Sequence, residues 1–464
     1  MADQDTTEIL CGPTDKYVTQ TPPPSSNSLN GFDGESCGAD GSTEPSDGST
    51  LRLRCSPENS FSYAHQESRQ HVLFEIAASG PSSTTAGRSP LNICICLDRS
   101  GSMEGDPLSY AKRACAHIVD LLDPEDMLSV VTFAERGEIL VPAQNVGDKD
   151  ELKRAISRIS IGNRTNLYGG IEAGIEQVLA GRSRRSLNRI LLLSDGEPTA
   201  GIKDFQRIVT LVTDRKRDAV KVTALGFGPD YNEELIAALA RRTGGNYYYI
   251  SRAELLPEVF RLEMDGLMQT VAREVKLRVN LTRGVSVKQV YSNDFQPSGA
   301  RSYEVNLVDV QREGVVTSLW EFDLTPHPAG VFRLGTAEIE YEDCLSRNRR
   351  QISADIVLEF TRNPSRISAG VGTRVQREIQ IMMAARSLDR TMMEIRKTGS
   401  APKDLLSDLE RTQQVLVRHG QMEQADQIER ALSDIRTNES RRSYASAEKT
   451  LIGAIVQLDQ GKRA

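Results

Sequence analysis

The chain has 464 residues, of which 38% are hydrophobic, 26% charged and 5% aromatic, with a single Trp and a net charge of −7. That length exceeds one ordinary domain and the apolar content suffices for real cores. The few aromatics argue against stacking platforms for RNA or carbohydrate, and the acidic balance argues against a general nucleic-acid binder. The acidity is local. Residues 1–50 carry nine acids and one base, Lys16, so residues 51–464 sum to +1. No apolar run reaches the roughly 20 residues that would cross a bilayer. The acidic start, Met1 to Gly12, lacks the basic and apolar regions of a secretory signal. Seven cysteines without regular spacing read as reduced, buried residues and suit a cytoplasmic protein. Cys94 and Cys96 could instead form a metal or redox pair, but no CxxC and no adjacent His supports that.

Residues 1–49 are rich in Gly, Ser, Thr, Pro and Asp, a composition expected to stay disordered. Order should begin at residue 50. Leu51, Leu53 and Cys55 alternate with Arg52 and Arg54, and Val72, Phe74 and Ile76 repeat the period, so 50–80 holds two half-buried strands. After a Ser-, Thr- and Gly-rich loop, 91–267 changes texture. Continuous apolar runs at Asn92–Leu97, Met127–Phe133, Arg189–Leu193 and Val220–Phe227 read as strands buried on both faces. Between them lie helical patterns: Asp106 with Pro107 starting a helix to Leu122, Asp148 and Glu151 capping one to Ile156, then Leu167–Leu179, Phe205–Arg217 and Glu233–Arg241. Gly244-Gly245 stops the last of these, Asn246–Ile250 is strand, and Ser251 with Glu254 caps a helix to Gly266. Alternating strands and helices imply a doubly wound, Rossmann-like α/β domain with a parallel sheet.

From Arg273 the period switches to two, with further alternating stretches at Val316–Leu324, Ala337–Tyr341 and Ile352–Phe360. Residues 270–362 therefore read as an antiparallel β-sandwich. The strands of 50–80 share its period and are expected to complete it, which makes the α/β domain an insertion. Two strands left alone would be marginal. Residues 372–461 turn helical, with one-sided stripes such as Val375, Ile379, Met382 and Leu388, or Ala447, Leu451, Ala454 and Leu458. Four helices packed as paired hairpins are expected.

The chemistry concentrates in Asp98-Arg99-Ser100-Gly101-Ser102, directly after the first buried strand, in Thr165-Asn166, and in Asp195-Gly196 after another buried strand. Ligands of doubly wound sheets sit beyond the carboxyl ends of the strands. Asp98 and Asp195 fall there, Ser100 and Ser102 alternate along one loop, and the loop bearing Thr165 can reach the same point. Two carboxylates and three hydroxyls make a hard, all-oxygen site. It suits Mg²⁺, with Mn²⁺ or Ca²⁺ as substitutes, and not Zn²⁺. With few fixed negative charges, the ion keeps its electrophilicity and would attract a carboxylate from a partner.

These three segments resemble a complete metal-ion-dependent adhesion site of the von Willebrand factor A family, over about residues 91–267. The resemblance implies that Ser100, Ser102 and Thr165 bind the ion directly and that Asp98 and Asp195 act directly or through water. The whole layout also resembles bacterial proteins described as calcium-activated chloride-channel homologues, although no span supports a channel. Other patterns carry less. Gly162–Gly170 lacks the GK[ST] ending of a phosphate loop. Arg182, Arg184, Arg185 and Arg189 read as a solvated loop, with a docking patch as the alternative. His71, His117 and His327 neighbour no nucleophile pattern. Met382-Met383 and Met392-Met393 read as core and stripe residues, with an adaptable groove as the alternative.

The leading functional reading is a non-enzymatic, metal-dependent binding and scaffold protein whose partner protein supplies an Asp or Glu. A metal-assisted hydrolase or phosphotransferase would need a base, for which the motif loops offer Glu104 and Glu197. An exported adhesin would need a signal and paired cysteines. One test follows from composition alone. Deleting residues 1–49 should leave the melting temperature nearly unchanged, because a polar tail contributes little burial. A large drop in a thermal melt would show that the tail docks.

Overall fold

The structure is a computed structural model that describes residues 50–79, 88–183, 186–195, 197–214, 220–228, 231–291, 295–398, 403–437 and 441–463. The expectation for 1–49, most of the loop after residue 80, and Arg184, Arg185 and Gly196 lie outside these residues. In chain order the elements begin with β1 (Leu51–Pro57), β2 (Phe61–Tyr63) and β3 (Ser68–Ala78). The α/β region follows: β4 (Leu91–Asp98), α1 (Asp106–Leu121), β5 (Met127–Phe133), β6 (Gly137–Asn145), α2 (Lys149–Ser157), α3 (Leu167–Ala180), β7 (Leu187–Ser194), α4 (Phe205–Thr213), β8 (Lys221–Phe227), α5 (Glu233–Thr243), β9 (Tyr247–Ile250) and α6 (Leu256–Met268). Then come β10 (Thr270–Leu281), β11 (Val285–Val290), β12 (Phe295–Pro297), β13 (Ser302–Asn306), β14 (Val310–Gln311), β15 (Val315–Leu324), β16 (Gly330–Asp343) and β17 (Arg349–Thr361). The chain finishes in α7 (Pro364–Ala369), α8 (Thr373–Thr398), α9 (Lys403–Arg418), α10 (Met422–Thr437), α11 (Arg441–Asp459) and β18 (Lys462–Arg463).

The α/β sheet has the order β6-β5-β4-β7-β8-β9. All its pairs are parallel except β5 with β6. That antiparallel edge strand is absent from the sequence expectation: its apolar run, Ile139–Val141, is short and stops at Pro142, and Val141 is its one buried residue. Strand β4 shows why the other runs are continuous. Cys94 and Cys96 face a core with α3, α4 and α5, while Ile93, Ile95 and Leu97 face a second core with α1, α2 and α6. Two helix starts differ from expectation. Gly105 holds the N-cap of α1 and Asp106 already lies inside the helix. Helix α6 begins at Leu256 after a 3₁₀ turn, Ala253–Leu255, with Pro257 in its first turn and no side-chain cap, so Ser251 does not cap it. Asp148 does cap α2, accepting from the Glu151 N–H, and Gly244 ends α5 at φ 71°, a left-handed conformation that favours glycine.

Two further sheets share one core. One runs β1-β3-β15-β11, with β18 on β15, and the other runs β12-β13-β10-β16-β17-β2, with β14 on β10. Strand β3 pairs with β15 over ten residues, from Val315–Ala77 to Leu324–Ser68. The buried Trp320 sits between the sheets among Phe74, Phe295, Tyr303 and Phe322, its indole N–H donating to Ser318 Oγ at 2.8 Å. The pairing is not wholly antiparallel, since β2 lies parallel to β17. Strands β11 and β13 escape the period-two reading because their burial alternates only weakly.

In the helical region α8 packs on α9, α9 on α10, α10 on α11, and α11 back on α8. The predicted stripes are its buried faces, and they merge with the α3–α5 side of the α/β core. Met382 and Met392 are buried, whereas Met383 and Met393 point outward. After α11 the chain returns to the sheet of β15, which β18 joins. Gly461 has φ 67°, and a Cβ there would lie 2.1 Å from Thr317 O, so only glycine fits this return. Arg463 then pairs with Glu378 of α8, both almost fully buried. Arg463→Ala would strand the Glu378 charge and should cost about 3–5 kcal/mol, read as a lower urea midpoint and melting temperature. Replacing both partners by Met should recover much of that loss.

Candidate metal centre

The site forms where the strand order reverses. From β4 the chain moves to β5 and β6 on one side and then crosses to β7 on the other, opening a crevice beyond the ends of β4 and β7. Asp98 is the last residue of β4, and Asp195 directly follows β7. Both are buried, at 0% and 6% exposure, as are Ser100 and Thr165, while Ser102 is open to solvent.

A hydroxyl relay connects these residues. Ser102 Oγ donates to Asp195 Oδ1 at 2.8 Å and lies 3.2 Å from Ser100 Oγ. Asp98 Oδ1 accepts from the Ser100 N–H at 2.9 Å, and its Oδ2 accepts from Ser194 Oγ at 2.8 Å. The structure thus brings Asp98, Ser100, Ser102 and Asp195 together through side chains. Thr165 joins through backbone. Its N–H donates to Thr199 Oγ1 at 2.8 Å, and its carbonyl accepts from Thr199 and Ala200 in the loop after Asp195. The Gly162 N–H donates to Arg99 O, docking the Thr165 loop on the Asp98 loop. Asn166 then caps α3, accepting from the Gly169 N–H.

Arg99 ties the loop after β4 to its neighbours. It pairs with Glu138 of β6 at 2.9 Å and donates to Ser160 O. Sequence reasoning singled out neither Ser194 nor Thr199. The visible signal for Ser194 is a hydroxyl closing a run of leucines, Leu191 to Leu193. Arg189 is the opposite case. It is buried in β7, beside Asp309 at 3.5 Å and Glu263 at 3.9 Å, rather than in a solvated loop. Of its expected companions, Arg182 is exposed.

Electrostatics set the character of the crevice. Burial holds Asp98 above the usual carboxylate range, against the pull of the Ser100 and Ser194 hydrogen bonds. Burial first, and the Asp98 charge second, push Asp195 up to about 7. Among the described residues neither carboxylate has a Lys or Arg ion-pair partner. Without a cation the folded chain therefore holds a proton on Asp195 that the unfolded chain releases at a lower pH. Stability in chelator should rise as pH falls from 8 to 6, and Asp195→Asn should both stabilise the protein at pH 8 and flatten that slope. Thermal melts across this range check it, and an unchanged slope in Asp195→Asn would remove Asp195 as its source.

Residues 92–262 match the family model of the von Willebrand factor type A domain. The uncharacterized protein sll0103 of Synechocystis sp. is 28% identical over 323 residues, covering 66% of this chain and 74% of its own. YfbK of Escherichia coli is 30% identical over 190 residues, covering 40% of this chain but only 33% of its own. Among solved structures, a von Willebrand factor type A protein from Catenulispora acidiphila superposes with a TM-score of 0.69 at 15% identity, covering 82% of this chain and 89% of that one. At that identity the likeness concerns the fold. The doubly wound sheet, the crevice at its switch point and the matching family model agree: residues 92–262 are a von Willebrand factor type A domain.

Proposed function

We propose that this domain binds a divalent cation through Asp98, Ser100, Ser102, Thr165 and Asp195 and uses it to grip a carboxylate of a partner protein. The observation that carries the reading is the relay of Ser100 and Ser102 onto Asp195, beside a second buried carboxylate, with no cationic side chain paired to either among the described residues. Two close, desolvated anions are unfavourable by themselves and are relieved by a cation. The donor set fits a hard ion, since every candidate ligand is oxygen. A hydroxyl can keep donating its proton to a carboxylate while turning a lone pair toward a metal, so Ser102 need not give up Asp195. Mg²⁺ is the favoured ion, with Mn²⁺ or Ca²⁺ as substitutes.

The bound ion would supply an electrophilic coordination position. Asp98 and Asp195 contribute only two charges, and Ser100, Ser102 and Thr165 add none, so a partner Asp or Glu would be attracted more strongly than a neutral side chain. Ser102 is exposed at the crevice mouth, which is where a partner would arrive. We read the domain as carried between the sandwich strands β3 and β10, with the sandwich and helical region as its scaffold. A binding role, rather than catalysis, is favoured because Glu104 and Glu197 are both exposed and neither is buried among the relay residues. The buried free thiols of Cys94, Cys96, Cys115 and Cys344 support a reducing, cytoplasmic setting.

Calorimetry with Mn²⁺ tests the ion. Binding to the wild type should be lost in Ser100→Ala/Ser102→Ala while the melting temperature stays close to native, and unchanged affinity would sink the assignment. The partner is tested by affinity capture in Mg²⁺, in EDTA, and with Asp98→Ala, Thr165→Ala and Asp195→Ala. Proteins retained only by the wild type in Mg²⁺ support the reading. If the captured set persists in EDTA and through all three variants, binding runs through another surface.

A further inference from the structure

We infer that Ser194, which lies outside the five candidate ligands, is the residue that orients Asp98 for the ion. The inference rests on the metal reading above. Asp98 and Ser194 end adjacent parallel strands, one step beyond the Leu97–Leu193 pair, and both are completely buried. The Ser194 hydroxyl crosses between the strands to Asp98 Oδ2 at 2.8 Å, while the Ser100 N–H holds Oδ1 at 2.9 Å. A carboxylate turns easily about its terminal torsion, which has no sharp staggered wells. Donors on both oxygens remove that freedom. The two donors differ in kind. The Ser100 N–H belongs to the loop that carries the candidate ligands, so it moves when they move. Ser194 belongs to the sheet, paired with Gly226 of β8, and refers the carboxylate to the rigid core.

Ser194 thus links the two halves of the crevice. Its side chain holds Asp98 across the strand gap, and its backbone directly precedes Asp195. The return link is Ser102 Oγ to Asp195 Oδ1. Together these make two crossed ties between the Asp98 loop and the Asp195 loop, one from each side. Without the hydroxyl, Oδ2 would be buried with that donor missing, a state that favours a rotated carboxyl. That rotation weakens a cation site. Ser194 is a positioning residue: it acts through Asp98 rather than on the ion.

The test is Mn²⁺ binding to the full chain by calorimetry, well below the melting temperature, for wild type, Ser194→Ala, Ser194→Thr and Ser194→Cys. Loss of a partner that orients a ligand typically costs about 10–100-fold in metal affinity. Ser194→Ala should fall in that range. Ser194→Thr, which keeps the hydroxyl, should restore most of it, and Ser194→Cys, a similar volume with a weak donor, should lie between. The control is Thr223→Val, which removes another buried hydroxyl donor to a carboxylate in the same sheet, Thr223 Oγ1 to Glu263 at 2.6 Å. It should leave Mn²⁺ affinity unchanged whatever it does to stability. If Ser194→Ala fails to fold, the order of Ser194→Thr above Ser194→Cys decides the matter. Wild-type affinity in Ser194→Ala, or an equal loss in Thr223→Val, overturns the role of Ser194. Absence of Mn²⁺ and Mg²⁺ binding to the wild type overturns the metal reading beneath it.

Discussion

Two carboxylates buried side by side at the ends of a parallel sheet are the constraint around which this molecule is organised. A buried charge is costly unless it is hydrogen-bonded or paired. Asp98 and Asp195 take their hydrogen bonds from Ser100 and Ser102, on the connection after β4, and from Ser194, the last residue of β7, while Asp195 itself opens the connection after β7. The connections can meet only because β4 and β7 are neighbours, which in turn requires the crossover that places β5 and β6 on the other side. The third loop, with Thr165, is tied to both, to Arg99 on one side and to Thr199 and Ala200 on the other. The crevice is thus a set of three mutually latched loops resting on strand ends.

The opposite end of the sheet is held as firmly, by different means. Arg189 of β7 and Lys221 of β8 meet Asp309 from the segment between β13 and β14, with Lys221 at 2.6 Å. Burial pulls the Lys221 ammonium below its ordinary range and Asp309 resists, while Asp309 is drawn down by Lys221 and Arg189 against its own burial. Lys462, from the C-terminal return, reaches Asn246 at 2.9 Å. Buried ion pairs add little net stability over apolar packing, but their geometry is exacting. Here they join strands of the α/β domain to the segment between β13 and β14. The helical region adds a second attachment. Lys449 of α11 sits over the Tyr231 ring at 4.1 Å and donates to Tyr231 O, and Tyr249 meets Ser446. The switch-point crevice lies at the end of the sheet away from the Arg189 contacts, and Ser102 is exposed there.

Much of this was legible in the residues because the relevant physics is local. A strand buried on both faces has to be continuously apolar, so Ile93–Leu97 and Ile190–Leu193 announce themselves. A helix with one buried face repeats its apolar residues every three or four positions, which is why the stripes of α8 to α11 are the buried ones. Asp98, Ser100, Ser102, Thr165 and Asp195 could be named as one constellation because strand ends in a doubly wound sheet converge wherever the sequence separation places them. Their type, oxygen throughout, already limited the ions they suit.

What the residues left open depends on partners distant in sequence. Strand β6 is half exposed and is held by β5 and α3, so only the short stretch Ile139–Val141 marks it. Strand β2 lies parallel to β17 through contacts some three hundred residues apart, which no local period encodes. Arg189 looks solvated from its neighbours and is buried only because Asp309 and Glu263 arrive from elsewhere. Ser194 belongs to the same class: a serine after three leucines has no assigned task until β4 is laid beside β7 and Asp98 comes within 2.8 Å. Residue type and spacing decide which groups can carry charge or hydroxyls. Only the tertiary structure decides which of them share a buried, water-poor space, where one donor more or less determines whether a carboxylate can stay ionised.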